Sequence, residues 1–392
     1  MGIDWRYRET VLALCTLAFF ATMVGRLAFS PVVPEITGEF GVTNTHVGIA
    51  LTGMWLAYAL AQYPSGILAD RYGERLVILA SVGGTGATCL LVVFAPHFAV
   101  FVLGAILLGA AAGLHYSVAT ALLTRIYDDL GTAVGIHNAG APVAGLMTPV
   151  AVSWIAVRYG WRPAVAITAA VAAPAALLFA WRVRPTEPRR PDHPLRDRLS
   201  PGPMLEVLSR PPIVYTGVIA IIFDFTWQGL ASFLPTFFVQ FHGYATTTAG
   251  SMFAAYFIVQ GVLQIAVGRV ADRFGRDIGI LCCAATAIAG LALLVAGASL
   301  VALSAGIVLV GTGMGWGAAV FPRFMDHLSE AEQSAGFGLV RTVYMIVAST
   351  GSIAVGFVAD RAGWAVSFGL LAALLSIILC LLALNRVLDY RY

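Results

Sequence analysis

Long apolar segments constrain the fold of this chain more than any other feature of its sequence. Of its 392 residues, 59% are hydrophobic and only 11% are charged, whereas charged residues make up about 25% of an average soluble domain. The apolar residues fall in blocks of about 20, the length that an α-helix needs to cross a bilayer. Because lipid cannot pair with backbone polar groups, such blocks must be helical. We therefore expect an all-α membrane protein.

Twelve spans are predicted, in two sets of six. The first set covers residues 10–33, 47–69, 76–95, 98–120, 133–157 and 163–182. The second set covers residues 213–236, 246–268, 278–297, 299–322, 335–358 and 363–386. Residues 183–212 are rich in Arg and Pro and are predicted to form a cytoplasmic linker between an N-terminal bundle (1–182) and a C-terminal bundle (213–392). The first span has no obvious cleavage site, so it is predicted to be a retained helix.

The basic residues predict the orientation of the chain. Lysine is absent, so all 23 basic residues are Arg, and most of them lie on one side of the membrane if both termini are cytoplasmic. The positive-inside rule therefore favours a multi-pass protein of a prokaryotic inner membrane with both termini inside. Without Lys, a Walker A loop and Schiff-base chemistry are both excluded. No catalytic pair or metal-ligand spacing occurs, so neither an enzyme nor a cofactor is expected.

An internal repeat relates the two sets of spans. A glycine-bounded motif with an Asp-Arg pair follows the second span and recurs after the eighth. Its two copies contain Gly66, Asp70, Arg71 and Gly73, and Gly268, Asp272, Arg273 and Gly275. Gly109 and Gly113 recur as Gly311 and Gly315 at the same offset, and Gly160-Trp161 recurs as Gly363-Trp364. Parallel six-helix repeats are known in transporters, where substrate binds near the bilayer midplane between the repeats.

These motifs resemble the loop signature G-x-L-A-D-R-x-G-R-R of the major facilitator superfamily. Glu74 replaces the first basic residue that ends the signature, and Arg75 keeps the second. The resemblance covers the whole chain and implies two six-helix bundles related by a pseudo-two-fold axis, with secondary transport by alternating access. It also implies that both loops, including Arg75, act as a conformational latch. The alternative is that their arginines are only positive-inside anchors.

Two further motifs bear on drug efflux, a second possible function. Drug antiporters of the family carry an Arg where this chain has Ala105, before the Gly109 and Gly113 pair. Their helix-five motif is matched only in part, by Gly135, Gly140-Ala141-Pro142 and Gly145. Both differences weigh against multidrug efflux without excluding it.

Ionisable residues inside predicted spans are costly and point to function. Arg26 lies eight residues before Pro34, a spacing that resembles the anion-handling branches of the family. An Arg offers a planar set of donors suited to a carboxylate or phosphate. Its repeat counterpart is Gln228 instead of a second Arg, which favours a monoanion. Arg341 is a second candidate anion contact or a gate residue, and Arg26 alternatively forms a structural ion pair.

Asp224, one turn before Gln228, is the carboxylate deepest within a predicted span. It is predicted either to carry a coupling proton or to pair with Arg26. His115 and His137 are predicted either to relay protons or to hydrogen-bond neighbouring helices.

Four further residues are candidate cavity-lining groups: Tyr58, Gln62, Trp227 and Gln264. Gln62 and Gln264 alternatively bridge neighbouring helices, and Tyr58 and Trp227 alternatively belong to a membrane belt or to the core.

Together these features predict a secondary transporter for a small organic anion such as a monocarboxylate, working as a proton symporter or antiporter. Its expected partners are the substrate, protons and the lipid bilayer, with no nucleic acid, metal or cofactor, and it is expected to be monomeric. Two alternatives remain, namely efflux of drug-like or hydrophobic compounds and a transporter-derived membrane sensor.

Overall fold

A computed structural model describes residues 5–127, 130–188, 206–297, 299–329 and 333–388, and the regular elements within these ranges are helices. In the first half they are α1 (Trp5–Leu27), a 3-10 turn (Ser30–Val32), α2 (Val33–Phe40), α3 (Asn44–Tyr72), α4 (Glu74–Val93), α5 (Phe98–Gly113), α6 (Tyr116–Thr124), α7 (Leu130–Asn138), α8 (Gly140–Tyr159) and α9 (Trp161–Arg182). In the second half they are α10 (Pro211–Gln240), α11 (Thr246–Phe274), α12 (Arg276–Ala296), α13 (Leu300–Gly313), α14 (Gly317–Met325), α15 (Gln333–Ala348), α16 (Gly351–Ala362) and α17 (Trp364–Leu388).

The chain forms two compact units. The first comprises Met1–Val42 and Ile49–Leu199, and the second comprises Thr43–Gly48 and Ser200–Tyr392. Residues 43–48, which include the first residues of α3, belong to the second unit, and the rest of α3 belongs to the first. Much of the predicted linker, residues 189–205, lies outside the described residues, and its boundaries stay a prediction.

Eleven helical segments in the described part of the chain are long and apolar enough to cross a membrane. Helix α3, at the place of the second predicted span, is 29 residues long but is not one of these eleven segments. Polar and aromatic side chains such as Tyr58, Gln62 and Tyr63 lower its mean hydropathy. The prediction of an all-α, multi-pass membrane fold is confirmed.

Several predicted spans are interrupted, although the sequence analysis treated each as one continuous helix. In the first predicted span, helix α1 ends at Leu27 and the 3-10 turn follows it. The α-helix does not continue there, because Pro31 and Pro34 cannot donate backbone hydrogen bonds. The fourth span divides into α5 and α6, and the fifth divides into α7 and α8 at Ala139. Interruptions at membrane depth free backbone groups, and they are tolerated where protein or a cavity surrounds them.

The repeat is visible in the backbone at two pairs of glycines. Gly73 and Gly275 have φ values of 85° and 101°, and Gly160 and Gly363 have φ values of 86° and 87°. Each glycine links two successive helices in a conformation that side chains with a Cβ rarely adopt. The matching glycines therefore form the same turns in both units.

Close packing of α3 against α5 positions the residues of the first unit's site. A Cβ at Gly109 would collide with the carbonyl of Met54, and one at Gly113 would collide with the carbonyl of Tyr58. Small residues allow this approach between helices in membranes. The backbone of Tyr58 is thereby fixed against α5.

Candidate functional site

Arg26 lies in the last turn of α1 and is only 5% exposed. Its Cζ lies 4.0 Å from the ring centroid of Tyr58 and 5.4 Å from that of Trp55, both on α3. Its Nε donates to the Thr22 carbonyl at 3.4 Å, and Nη2 lies 2.6 Å from the Met23 sulfur. The guanidinium is therefore buried against two aromatic faces, which attract a cation.

The α3 side of this site contains a predicted polar residue as well. Gln62 follows Tyr58 by one helical turn, and the two side chains are 6% and 3% exposed. The Ser65 hydroxyl donates to the Gln62 carbonyl at 2.5 Å. Arg26 and Tyr58 are therefore in contact inside the first unit, and Gln62 is buried one turn of α3 farther along. The contact of Trp55 with Arg26 had little support in the sequence.

His115 and His137 are also brought together in the first unit. Their ring centroids are 5.4 Å apart, and both side chains are fully buried. The ring of Phe19 stacks on His115 at 5.9 Å and contacts His137 in a tilted arrangement at 5.0 Å. His115 lies in the turn between α5 and α6, and His137 is in the last turn of α7. Both histidines thus lie beside helix interruptions.

The polar surroundings of the two rings are sparse. Both rings face the backbone of Cys15 on α1. Within the described residues, none of the four ring nitrogens has a hydrogen-bond partner. A buried polar group without a good partner is costly. The sequence did not predict that Cys15 and Phe19 lie beside this pair.

The second unit places its own polar residues on α10. The Gln228 amide donates to Asp224 Oδ2 at 2.8 Å, and the two side chains are 1% and 8% exposed. Arg341 of α15 is close enough to act electrostatically on the Asp224 carboxyl. The predicted members Asp224, Gln228 and Arg341 are therefore neighbours, and the predicted pairing of Asp224 with Arg26 stays a prediction.

The remaining predicted residues of the second unit, Trp227 and Gln264, have different surroundings. Trp227 Nε1 donates to Gln260 at 3.3 Å, and the Gln260 amide donates to the Met314 carbonyl at 2.9 Å. Gln264 is exposed, and its backbone packs on Gly315. Gln260 is therefore the glutamine of α11 that joins Trp227, whereas Gln264 lies apart from it.

Tyr256 of α11 is a candidate that sequence reasoning missed. Its side chain is fully buried, its hydroxyl has no hydrogen-bond partner among the described residues, and it lies within electrostatic reach of Asp224. It occurs in an apolar, aromatic stretch, which gave no signal of a polar environment.

The two motif loops have different contacts. Arg75 donates to the carbonyls of Ala180 and Val183 at 2.5 and 2.8 Å, at the end of α9. Arg71 and Arg273 are exposed and lie over the rings that follow them, at 5.4 and 5.3 Å. In the second loop, Asp272 pairs with Arg276. The latch role of these loops stays a prediction.

Within the described residues, no group of three or more His, Cys, Asp or Glu is placed to hold a metal ion. The described residues therefore form three buried polar groups on the helices of this membrane fold. Arg26 with its aromatic rings and the histidine pair lie in the first unit, and the Asp224 cluster lies in the second. These features define a polytopic helical membrane protein of the transporter class.

The sequence profile of the Major Facilitator Superfamily matches residues 15–251 and 216–391. The chain belongs to this family, whose members are transporters and not enzymes.

Two relatives and one solved structure illustrate the similarity. The probable sulfoacetate transporter SauU of Cupriavidus necator is 28% identical over 176 residues, which are 44% of this chain and 41% of that protein. The hexuronate transporter of Bacillus subtilis is 21% identical over 376 residues, which are 90% of this chain and 88% of that one. A bacterial homolog of the human lysosomal transporter Spinster, inward-facing and unoccupied, superimposes with a TM-score of 0.83 at 16% identity, covering 97% of each chain.

Proposed function

We propose that this chain transports a small organic anion by alternating access, with Arg26 binding the negative group. The observation that carries this proposal is the burial of the Arg26 guanidinium against the Tyr58 and Trp55 rings. An anion that reaches Arg26 gains a charge-assisted, bidentate contact in a site of low dielectric. The names of two relatives, a sulfoacetate and a hexuronate transporter, are consistent with this substrate class.

The same proposal assigns proton coupling to Asp224 and to the pair of His115 and His137. Asp224 takes up and releases the proton, while Gln228 and Arg341 respond to its charge. The histidine pair, which lies beside Phe19 of α1, accepts a proton at a second point. Intramembrane carboxylates and histidines commonly serve such relays. The direction of proton movement in a substrate gradient distinguishes symport from antiport.

The arrangement in the membrane completes the proposal. Both termini and the Arg-rich linker are cytoplasmic in the plasma membrane of a prokaryote, because arginines concentrate on those segments. The protein acts as a monomer, and the loops around Asp70-Arg71 and Asp272-Arg273 control the exchange between conformations.

The test of the anion site uses purified protein in lipid nanodiscs. Thermal stabilisation is measured with small carboxylates, sulfonates, sugars and lipophilic cations, since a ligand that binds the folded state raises its stability. We expect carboxylates or sulfonates to stabilise the native protein, and Arg26→Gln to weaken this binding about 100-fold, since losing one partner of a buried charge pair costs about 2–5 kcal/mol. Arg26→Lys should restore only part of it, because Lys lacks the planar fork.

Arg158→Gln is the matched control. Arg158 is an exposed arginine on α8 that lies 4.1 Å from the Trp154 ring, so its loss should leave binding unchanged. Stabilisation by lipophilic cations alone, unaffected by Arg26→Gln, would support drug efflux instead. Anion binding without any flux in proteoliposomes would support the sensor.

Coupling is tested separately, in proteoliposomes that contain a pH-sensitive dye. Substrate gradients should move protons in the native protein. Asp224→Asn should abolish this movement while substrate exchange across the membrane continues, because exchange needs no net proton transfer. Proton movement that survives in Asp224→Asn and is lost in a variant with both histidines replaced by Gln would assign the coupling to the histidine pair.

A further inference from the structure

Helix α10 has a polar stripe along one side, in a stretch of sequence that is mostly apolar and aromatic. Its members recur every four residues, a spacing that places side chains on the same side of an α-helix. They are Asp224, Gln228, Ser232 and Thr236, and their side chains are 8%, 1%, 2% and 0% exposed. We call them the α10 polar stripe. The stripe rises about 18 Å along the helix axis, and it ends one turn before Gln240, the exposed last residue of α10.

Two buried atoms of the stripe lack a protein partner. Within the described residues, neither Gln228 Oε1 nor the Thr236 hydroxyl has a hydrogen-bond partner. Thr226 lies on the same helix and is just as buried, but its hydroxyl donates to the Ile222 carbonyl at 2.9 Å. Leaving a buried polar atom unpaired is costly, and ordered water is the common partner of such atoms. The two atoms therefore point to water bound along the stripe.

Helix α16 adds one more hydroxyl to the stripe. The hydroxyl oxygens of Ser232 and Ser352 lie 2.7 Å apart, and both side chains are buried. The two helices approach closely there, because a Cβ at Gly351 would collide with the Phe225 carbonyl. The serine pair therefore lies in the interface between α10 and α16.

The spacing of the stripe suits a chain of hydrogen bonds. Successive members rise by about 6 Å along the axis, about twice the length of an O–H···O hydrogen bond. One water between neighbouring members is therefore enough to connect them. Hydroxyl groups and water both donate and accept hydrogen bonds, so a chain of them can pass a proton along.

We infer that the α10 polar stripe conducts protons between Asp224 and the solution at the Gln240 end of α10. This inference rests on the proposed function, because it takes Asp224 as the carrier of the coupling proton. Each hydroxyl or water accepts a proton from one neighbour and releases its own to the next, so the net change is one proton gained or lost by the Asp224 carboxyl. Gln228 is a positioning residue, whose amide holds Asp224 Oδ2 at 2.8 Å and whose carbonyl oxygen binds a water.

Two other ionisable groups lie near the inner end of the path. Arg341 of α15 and Tyr256 of α11 are within electrostatic reach of Asp224. Neither is on α10, so removing a hydroxyl of the stripe leaves both of these groups in place. The rate at which Asp224 exchanges its proton can therefore be changed separately from its affinity for the proton.

The test follows the protonation of Asp224 itself and needs no substrate. Protein in nanodiscs is mixed rapidly with buffer of a different pH, and infrared spectroscopy records the carboxyl C=O band that is lost in Asp224→Asn. Thr236→Val keeps the shape of the side chain but removes its hydroxyl. It should slow the change of this band about 10- to 100-fold, since a positioned proton relay contributes factors of this size or larger. The final amplitude of the band should stay the same.

Thr226→Val is the matched control. It makes the same change on the same helix, at an equally buried residue whose hydroxyl is bonded to its own helix, and should keep the native rate. Thr236→Ser retains a hydroxyl and should restore most of the rate. Ser232→Ala combined with Ser352→Ala removes the hydroxyl pair together. This double variant should also slow the band, and it serves if Thr236→Val does not fold.

The outcomes separate the path from the function on which it rests. Native rates in Thr236→Val and in the double serine variant would overturn the path and leave Asp224 as the proton site. Equal slowing in Thr226→Val and Thr236→Val would also overturn it, because the hydroxyls would then act through packing. A band that does not respond to pH in the native protein would overturn both the path and proton coupling at Asp224.

Discussion

The two units form the same tryptophan hydrogen bond with different charges. Trp161 Nε1 donates to the Glu39 carboxylate at 2.5 Å, and Trp364 Nε1 donates to the Gln240 amide oxygen at 3.1 Å. Each tryptophan follows the glycine turn that begins the last helix of its unit. In the first unit Arg162 also donates to Glu39, at 2.7 and 3.1 Å, whereas Ala365 follows Trp364. At this place the second unit has neither the acid nor the arginine that pairs with it, but it keeps the hydrogen bond from the tryptophan.

The motif loops differ in a complementary way. The residues after Gly73 are Glu74 and Arg75, whereas those after Gly275 are Arg276 and Asp277, so acid and base occur in reverse order. Each acid still pairs with a distant arginine. Glu74 accepts from Arg125 at 2.7 and 2.9 Å, and Asp277 pairs with Arg323. The ion pair is conserved between units although the sequence positions are not.

The two ion pairs differ in which of their members is buried. In the first unit the acid is buried, with the Glu74 side chain 3% and Arg125 32% exposed. In the second unit the base is buried, with Arg323 6% and Asp277 49% exposed. The unit that contains Arg26 therefore buries a carboxylate near its loop, and the unit that contains Asp224 buries a guanidinium. Each unit places buried charges of both signs inside its helices.

The largest expected effects come from removing the exposed member of each pair. In the first unit Arg125→Gln should destabilise more than Glu74→Gln, and in the second Asp277→Asn should destabilise more than Arg323→Gln. The more harmful change in each unit should cost about 2–3 kcal/mol, because a buried charge loses its partner, and the other about 1 kcal/mol. Thermal and denaturant unfolding in detergent would measure the four variants.

The double variant Glu74→Gln with Arg125→Gln is the control for this comparison. It should recover at least half of the loss, since the buried carboxylate is then neutral. The same order of effects in both units, with the arginine variants worse in each, would show that burial does not decide the cost.

The tryptophan pair is expected to give the next largest difference. Trp161→Phe removes a hydrogen bond to a charged acceptor, and Trp364→Phe removes one to a neutral amide. We expect losses of about 2 and about 1 kcal/mol, because hydrogen bonds to charged groups contribute about twice as much as neutral ones. Adding Glu39→Gln to Trp161→Phe should bring no further loss from this bond. Equal losses for the two single variants would mean that the rings act through packing alone.

The sequence could predict the features that repeat locally. The length of the apolar segments predicted the helices. The matched glycines Gly73 and Gly275 predicted equal turns, because only glycine takes that backbone conformation readily. The sequence analysis missed the interruption at Ala139, although Pro142 cannot donate the backbone hydrogen bond that would continue the helix from Asn138. Glu74 was visible only as a departure from the motif, because its partner Arg125 lies 51 residues away.

The site was predictable in its charges and less so in its neighbours. Arg26, Asp224 and the two histidines were conspicuous because ionisable residues inside spans are rare. Tyr256 and Phe19 gave no such signal, since aromatic residues in apolar helices usually serve packing. Which residues surround a charge is set by packing between distant helices, and a single sequence does not contain that information.

The smallest expected effect on stability concerns the motif arginines, where the two units are most alike. Arg71 and Arg273 are exposed, and their guanidinium groups lie over the adjacent Tyr72 and Phe274 rings at 5.4 and 5.3 Å. Arg71→Ala and Arg273→Ala should each change the free energy of unfolding by about 0.5 kcal/mol or less, because exposed cation–π contacts are weak. If the loops control the exchange between conformations, transport rates should nevertheless fall severalfold in both variants. Unfolding and flux measured on the same preparations would separate these effects, and unchanged flux in both would leave the arginines as topological anchors.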